Sequence, residues 1–90
     1  MYTGFQRVES AASVKDATHI TIPSDTTFVE IQADTQSVRY TMDGTDPTAS
    51  SGMLFLTTEG PKTFLVEDVR KIKFIQGSGG AGAINLHYFK

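Results

Sequence analysis

The chain has 90 residues, of which 20% are charged, and its formal net charge is −2. This length predicts one domain over residues 1–90, with a small core. The basic residues are scattered, which argues against nucleic-acid binding. The absence of Cys excludes disulfides, thiolate metal sites and cysteine nucleophiles. No apolar run reaches the roughly 18 residues that span a bilayer, so we expect a soluble protein without membrane contact or a cleavable export signal.

The first third of the chain predicts short strands, because apolar residues recur at every second position. A weak strand is expected near residues 6–10, although residues 1–10 could instead form an extended arm. Further strands are predicted at residues 18–22 and 27–33. In the latter strand Phe28 should point away from the core, and three side chains should point into it: Val29, Ile31 and Ala33.

The middle of the chain predicts three more strands, at residues 38–42, 53–56 and 63–66. The first of them alternates clearly, with Val38, Tyr40 and Met42 on one face. One helical turn is expected at residues 67–70.

The last part predicts a strand at residues 71–76 and a closing strand at residues 83–89, in which Ile84, Leu86 and Tyr88 face inward. The glycine-rich segment 77–82 between them should form a flexible hairpin loop. Seven or eight short strands with turn residues between them are typical of an antiparallel β-sandwich or jelly roll. The predicted class is therefore all-β.

A tight turn follows the strand at residues 38–42. The carboxylate of Asp43 is expected to accept backbone N–H bonds, Gly44 to adopt positive φ, and Pro47 to fix the exit. Calcium binding through Asp43, Thr45 and Asp46 is an alternative, but the ligand set is incomplete, so we predict no metal site. His19 and His87 are expected to be exposed or partner-facing. Nothing in the sequence combines a nucleophile with a base, so we expect no enzyme, no catalytic residue and no cofactor.

Several aromatic residues are out of phase with the predicted core or lie near a terminus. Exposed aromatic rings are rigid anchors at protein interfaces. The residues expected to bind a partner are Tyr2, Phe5, Phe28, Phe55 and Phe89.

The segment from Val38 to Thr48 resembles two groups of proteins. One is the β-sandwich module of chitobiases and other secreted glycosidases, which carries a similar Tyr-Thr-x-Asp-Gly-(Ser/Thr)-x-Pro-Thr run. The other is a group of small tailed-phage virion proteins, which the chain resembles over residues 38–90. There the run is followed by Ala-Ser-x-Gly-Met, an Ile-Arg/Lys-Phe-Ile strand and a closing strand that ends in Tyr-Phe or Tyr-Tyr. The residues that the resemblance assigns to the turn scaffold are Tyr40, Asp43, Gly44, Asp46, Pro47 and Thr48.

The phage resemblance implies a structural role in the virion, which is assembled in the host cytoplasm. We expect a capsid decoration or cement protein that binds the major capsid protein or other virion proteins and forms a homo-oligomer. A small domain can reinforce a shell by burying apolar patches at many symmetric sites. Two alternatives stay open: a head-to-tail or tail component, and a carbohydrate-binding β-sandwich module.

Overall fold

A computed structural model describes residues 1–90 as two antiparallel sheets, each with four strands. The predicted all-β sandwich is therefore confirmed. A 3-10 helix lies at Ala17–His19, and one helical turn, α1, lies at Val66–Val69. The strands are β1 (Tyr2–Glu9), β2 (Lys15–Asp16), β3 (Phe28–Asp34), β4 (Val38–Thr41), β5 (Met53–Phe55), β6 (Lys62–Leu65), β7 (Lys73–Gln76) and β8 (Ala83–Phe89).

The chain moves repeatedly between the two sheets. The first sheet has the order β1-β8-β3-β6, and the second has the order β2-β7-β4-β5. The edge strands β5 and β6 lie on the same side of the sandwich, because the Lys62 ammonium is 5.0 Å from the centre of the Phe55 ring. No helix is long and apolar enough to cross a membrane.

The core forms where the alternating side chains of the two sheets meet, as expected for stacked sheets. The predicted inward positions of β3, β4 and β8 are confirmed, because these side chains are at most 8% exposed. They are Val29, Ile31, Ala33, Val38, Tyr40, Ile84, Leu86 and Tyr88. Met42 is partly buried and packs against the same cluster.

In the N-terminal third one prediction is confirmed and two need correction. The strand expected near residues 6–10 is present within β1, which pairs with β8, so residues 2–9 are not an extended arm. Residues 18–22 are not a strand, because the 3-10 helix occupies their start and residues 20–22 have no regular secondary structure. The Gln6 amide holds this segment in place, since its Oε1 accepts the Thr21 N–H at 2.9 Å and its Nε2 donates to the His19 carbonyl at 3.2 Å.

The glycine-rich segment 77–82 is not a hairpin loop, because β7 and β8 belong to different sheets. It crosses between the sheets and is held at both ends. The Gly77 N–H donates to the Ser37 carbonyl at 3.1 Å, and the Ser10 N–H donates to the Gly82 carbonyl at 2.9 Å. A Cβ at Gly82 would lie 2.7 Å from the carbonyl oxygen of Gln36, so this crossing needs glycine for close approach.

The turn after β4 has the hydrogen bond and the glycine conformation that the sequence predicts. The Asp43 Oδ1 accepts the Thr45 N–H at 3.0 Å, and Gly44 has a φ of 89°. That hydrogen bond lowers the pKa of Asp43. The Lys73 ammonium donates to the Asp46 carboxylate at 2.8 Å, which connects the turn to β7.

The rest of the turn scaffold is also structural. Pro47 is buried, and Thr48 forms an isolated antiparallel bridge with Ser51. The Tyr40 ring lies in the core with its centre 5.8 Å from that of Phe55. The turn residues therefore stabilise the second sheet and the connection to β5.

Candidate binding surface

A row of apolar side chains crosses all four strands of the first sheet on its outer face. The register places Tyr2 opposite Phe89, Phe89 opposite Phe28, and Phe28 opposite Leu65. Phe5 lies in the next row, opposite His87. We call the surface formed by Tyr2, Phe5, Phe28, Leu65 and Phe89 the aromatic face.

A bulge in β1 explains how Tyr2 and Phe5 reach the same face. They are three positions apart, so a regular strand would direct them to opposite faces. The register of β1 against β8 shifts between Tyr2 and Gly4, which leaves Thr3 as an extra residue. Its hydroxyl donates to the Tyr88 carbonyl at 3.1 Å. The bulge therefore joins the two aromatic residues of β1 on one surface.

The rings of the aromatic face contact one another. The rings of Phe28 and Phe89 are stacked, with centres 4.8 Å apart and planes 5° apart. The His87 ring lies between those of Tyr2 and Phe5, at 5.1 and 5.3 Å, in edge-to-face arrangements. Such contacts restrict the rotamers of the rings before any partner binds.

The aromatic face is exposed to solvent. Tyr2, Phe5 and Leu65 are 51%, 55% and 65% exposed, and Phe28 and Phe89 are partly exposed. Single exposed apolar residues are common, but a contiguous group that crosses a whole sheet is typical of an interaction site. This surface is the strongest candidate for a binding site in the molecule.

Polar and charged residues border the aromatic face at the other end of the strands. Arg7 of β1 forms an ion pair with Asp34 of β3, across the intervening β8. The hydrogen bond from Arg7, followed by one from Asn85, lowers the pKa of the Asp34 carboxyl. His87 Nδ1 lies 3.6 Å from a carboxylate oxygen of Glu30. The surface therefore has an apolar end and a polar end.

A shallow depression of about 90 Å³ lies where the two ends meet. Its lining combines one aromatic ring with amide, carboxylate and imidazole groups. The residues that line it are Phe5, Glu30, Gln32, Pro61, Asn85 and His87.

Four of the five residues that the sequence suggested for partner binding come together on this surface: Tyr2, Phe5, Phe28 and Phe89. Phe55 does not, and the expectation that it is exposed is wrong. It is 1% exposed and lies in the core, opposite Val38 of β4. Its neighbours Met53, Leu54 and Leu56 are also apolar, so alternation could not determine which side chains of this strand face inward.

Leu65 is not among the residues that the sequence suggested for partner binding, and the role of His87 was left open. Leu65 follows a partly buried Phe64 and precedes the buried Val66, so the local pattern gave no sign that it faces outward. His87 was expected to be exposed or partner-facing, and its side chain is 44% exposed at the centre of the aromatic contacts. If the pairing of the strands had been known, it would have placed Leu65 opposite Phe28 and His87 opposite Phe5.

The other residues noted in the sequence lie elsewhere. The turn residues Asp43, Thr45 and Asp46 belong to the connection after β4 in the second sheet, and His19 ends the 3-10 helix. No three His, Asp or Glu side chains approach closely enough to form a metal site. No protein-family model matches the chain, and comparisons with curated proteins and with solved structures find no similar protein.

Proposed function

We propose that the chain is a non-enzymatic structural protein of a tailed-phage virion, namely a decoration or cement protein that binds the major capsid protein through the aromatic face. The proposal combines the resemblance over residues 38–90 with one observation on the surface. That observation is the continuous exposed row formed by Tyr2, Phe89, Phe28 and Leu65.

The row would contribute to binding through desolvation of its apolar area. Burial of apolar surface is worth about 25 cal/mol per Å², and rings already held by their neighbours lose little side-chain entropy on binding. Phe28 and Phe89 are stacked, and the rings of Tyr2 and Phe5 contact His87. These contacts support a preorganised surface that accepts a flat, apolar partner.

The size of the face limits the strength of a single contact. Four strands about 4.8 Å apart and two side-chain rows about 7 Å apart give an area of roughly 270 Å². A one-to-one complex would bury about twice that area, which is below the roughly 1,200 Å² of stable interfaces. Stable attachment to a particle would therefore depend on many copies bound to a repeated lattice, as expected for a decoration protein.

The proposal is tested by adding the purified chain to phage particles prepared without it and measuring bound copies against concentration. Phe5→Ser and Phe89→Ser should each lower the apparent affinity at least about tenfold, because each removes a ring from the contact. Lys71→Ser alters an exposed residue between α1 and β7 and serves as the matched control. Equal occupancy by all variants, or no binding of the natural chain, would contradict the proposal.

Carbohydrate binding is the second candidate, and the depression beside Phe5 supports it. Sugars are commonly bound by an aromatic ring together with amide and carboxylate groups, and Gln32, Glu30 and Asn85 line that depression. However, the Tyr2 and Phe89 ring planes differ by 75°, so they do not form the coplanar platform expected for a glycan chain. Saturable NMR shift changes at Gln32 on titration with chito-oligosaccharides would favour this function over capsid binding.

A further inference from the structure

The bulge in β1 determines whether Tyr2 belongs to the aromatic face. Residues 4–9 pair with β8 in one continuous register, and Tyr2 pairs with Phe89 only after a shift that leaves Thr3 as the extra residue. Without that shift the same register would place Thr3 opposite Phe89 and Tyr2 opposite Lys90. Because successive residues of a strand face opposite sides, Tyr2 would then point away from the aromatic face.

One side-chain hydrogen bond holds the extra residue in place. The Thr3 hydroxyl donates to the Tyr88 carbonyl at 3.1 Å, in a partly buried position. Beyond the bulge, Met1 and Lys90 exchange two hydrogen bonds between main-chain atoms, at 3.2 and 2.7 Å. Main-chain bonds of that kind do not depend on the side chain, whereas the bond to Tyr88 needs a hydroxyl at position 3. Thr3 is therefore the residue whose identity supports the bulge most directly.

The bulged register gives Tyr2 its place in the aromatic face. The Tyr2 ring lies 5.1 Å from the His87 ring and 5.9 Å from the Phe89 ring, in edge-to-face arrangements. In the regular register these contacts would be lost, and His87 would keep Phe5 as its one aromatic neighbour on β1. The exposed row across the sheet would then end at Phe89.

We propose that Thr3 is a positioning residue for the aromatic face: its hydroxyl holds β1 in the bulged register and thereby keeps Tyr2 beside His87 and Phe89. Loss of one neutral hydrogen bond changes an equilibrium between two states by about two- to tenfold. Loss of the hydroxyl should therefore lower the ratio of bulged to regular β1 by that factor. The effect on the position of Tyr2 is independent of the virion role, whereas any effect on particle binding rests on the proposed function.

The first test follows the position of Tyr2 by NMR of the chain alone. Thr3→Val keeps the β-branched shape and removes the hydroxyl, and Thr3→Ser keeps a hydroxyl as the matched control. Nuclear Overhauser contacts between the Tyr2 and His87 rings should be weaker in Thr3→Val. Relaxation dispersion at Tyr2 should show a second state at least about twofold more populated than in Thr3→Ser. A role in stability alone would lower the Tm and leave these contacts unchanged.

Deletion of Thr3 separates the position of Tyr2 from the hydroxyl itself. In the shortened chain Tyr2 directly precedes Gly4, so a regular β1 places it opposite Phe89 without any bulge. The contacts between Tyr2 and His87 should therefore persist in the deletion variant, although the hydroxyl is absent.

The second test measures binding to phage particles prepared without the chain. Thr3→Val should bind more weakly than Thr3→Ser, and deletion of Thr3 should leave the affinity unchanged. In a Tyr2→Ser background Thr3→Val should have no further effect, because Thr3 acts through Tyr2.

Three results would overturn the positioning role of Thr3. They are identical Tyr2 contacts and exchange in Thr3→Val and Thr3→Ser, loss of the Tyr2 contacts on deletion of Thr3, and weaker particle binding by Thr3→Val that persists in the Tyr2→Ser background. A displaced Tyr2 in Thr3→Val with no change in particle binding, or with no binding by the natural chain, would count only against the proposed function.

Discussion

Substitution of Gly82 provides a sharp test of how the crossing between β7 and β8 packs against the turn after β3. A Cβ at this position would lie 2.7 Å from the carbonyl oxygen of Gln36 and 2.9 Å from that of Asp34. Both contacts are with backbone atoms, which cannot rotate away as a side chain can. Gly82→Ala should therefore force the two segments apart.

The expected loss of stability follows from two opposing effects. Overpacking costs about 1–3 kcal/mol, while alanine restricts the unfolded chain and returns about 0.4–1 kcal/mol. The net loss is then between about 0 and 2.6 kcal/mol. A loss of about 1.5 kcal/mol lowers the Tm of a domain of this size by about 6–12 °C.

The matched control is Gly79→Ala in the same segment. Its Cβ would meet the Oε1 of Gln36 at 2.5 Å, and that atom is the free end of a flexible side chain. Neither glycine has positive φ, so the two variants differ mainly in what their methyl groups contact. Thermal unfolding followed by circular dichroism should show Gly79→Ala within about 0.5 kcal/mol of the natural chain. Equal Tm values for both variants would refute the packing described here.

Three further predictions concern the core and the polar end of the first sheet. Phe55→Ala should lower the free energy of unfolding, measured with urea, by about 3–5 kcal/mol, because the ring is buried. A loss below about 1 kcal/mol would show that the ring lies at the surface. Tyr88→Phe should cost about 1 kcal/mol through loss of the 2.9 Å hydrogen bond to Gln6, and an unchanged midpoint would contradict that bond. Asp34→Asn should destabilise the chain near neutral pH. The difference in the free energy of unfolding between this variant and the natural chain should shrink as the pH falls through the lowered pKa of Asp34. A pH-independent difference would show that the Arg7 pair has no such role.

The sign of the Asp34 effect follows from the direction of its pKa shift. The pKa in the folded state is below the ordinary value of 3.8, so the folded state binds the proton less readily than the unfolded chain. The stabilisation is therefore complete above that ordinary value and disappears as the pH falls through the folded-state pKa. Salt should also weaken it, because the pair is exposed.

Most of the core could be predicted from alternation alone. Apolar and polar residues alternate throughout β4, from Val29 to Asp34 in β3 and from Ile84 to Tyr88 in β8, which identifies the buried face without any tertiary information. The turn at Asp43 and Gly44 could also be predicted, since its geometry depends on local backbone chemistry. These features are encoded within a few consecutive residues.

The aromatic face could be predicted only in part, because it depends on register between distant strands. Phe28 and Phe89 are far apart in sequence and meet only because β3 and β8 pair. The bulge at Thr3 reverses the phase of Tyr2, and no composition signal marks it. The prediction that Phe55 is exposed was wrong for a local reason. Its strand is uniformly apolar, so no alternation indicates which side chains face inward. The parts of the aromatic face that the sequence did not predict therefore depend on pairing between distant strands.

The most direct test of the proposed function is a cryo-EM map of the virion at a resolution that separates individual strands. We expect density for this chain on the capsid shell, with the outer face of the β1-β8-β3-β6 sheet against the major capsid protein and the rings of Tyr2, Phe5 and Phe89 inside the contact. A map in which the chain is absent from the shell, or is attached with that face open to solvent, would contradict the proposed function.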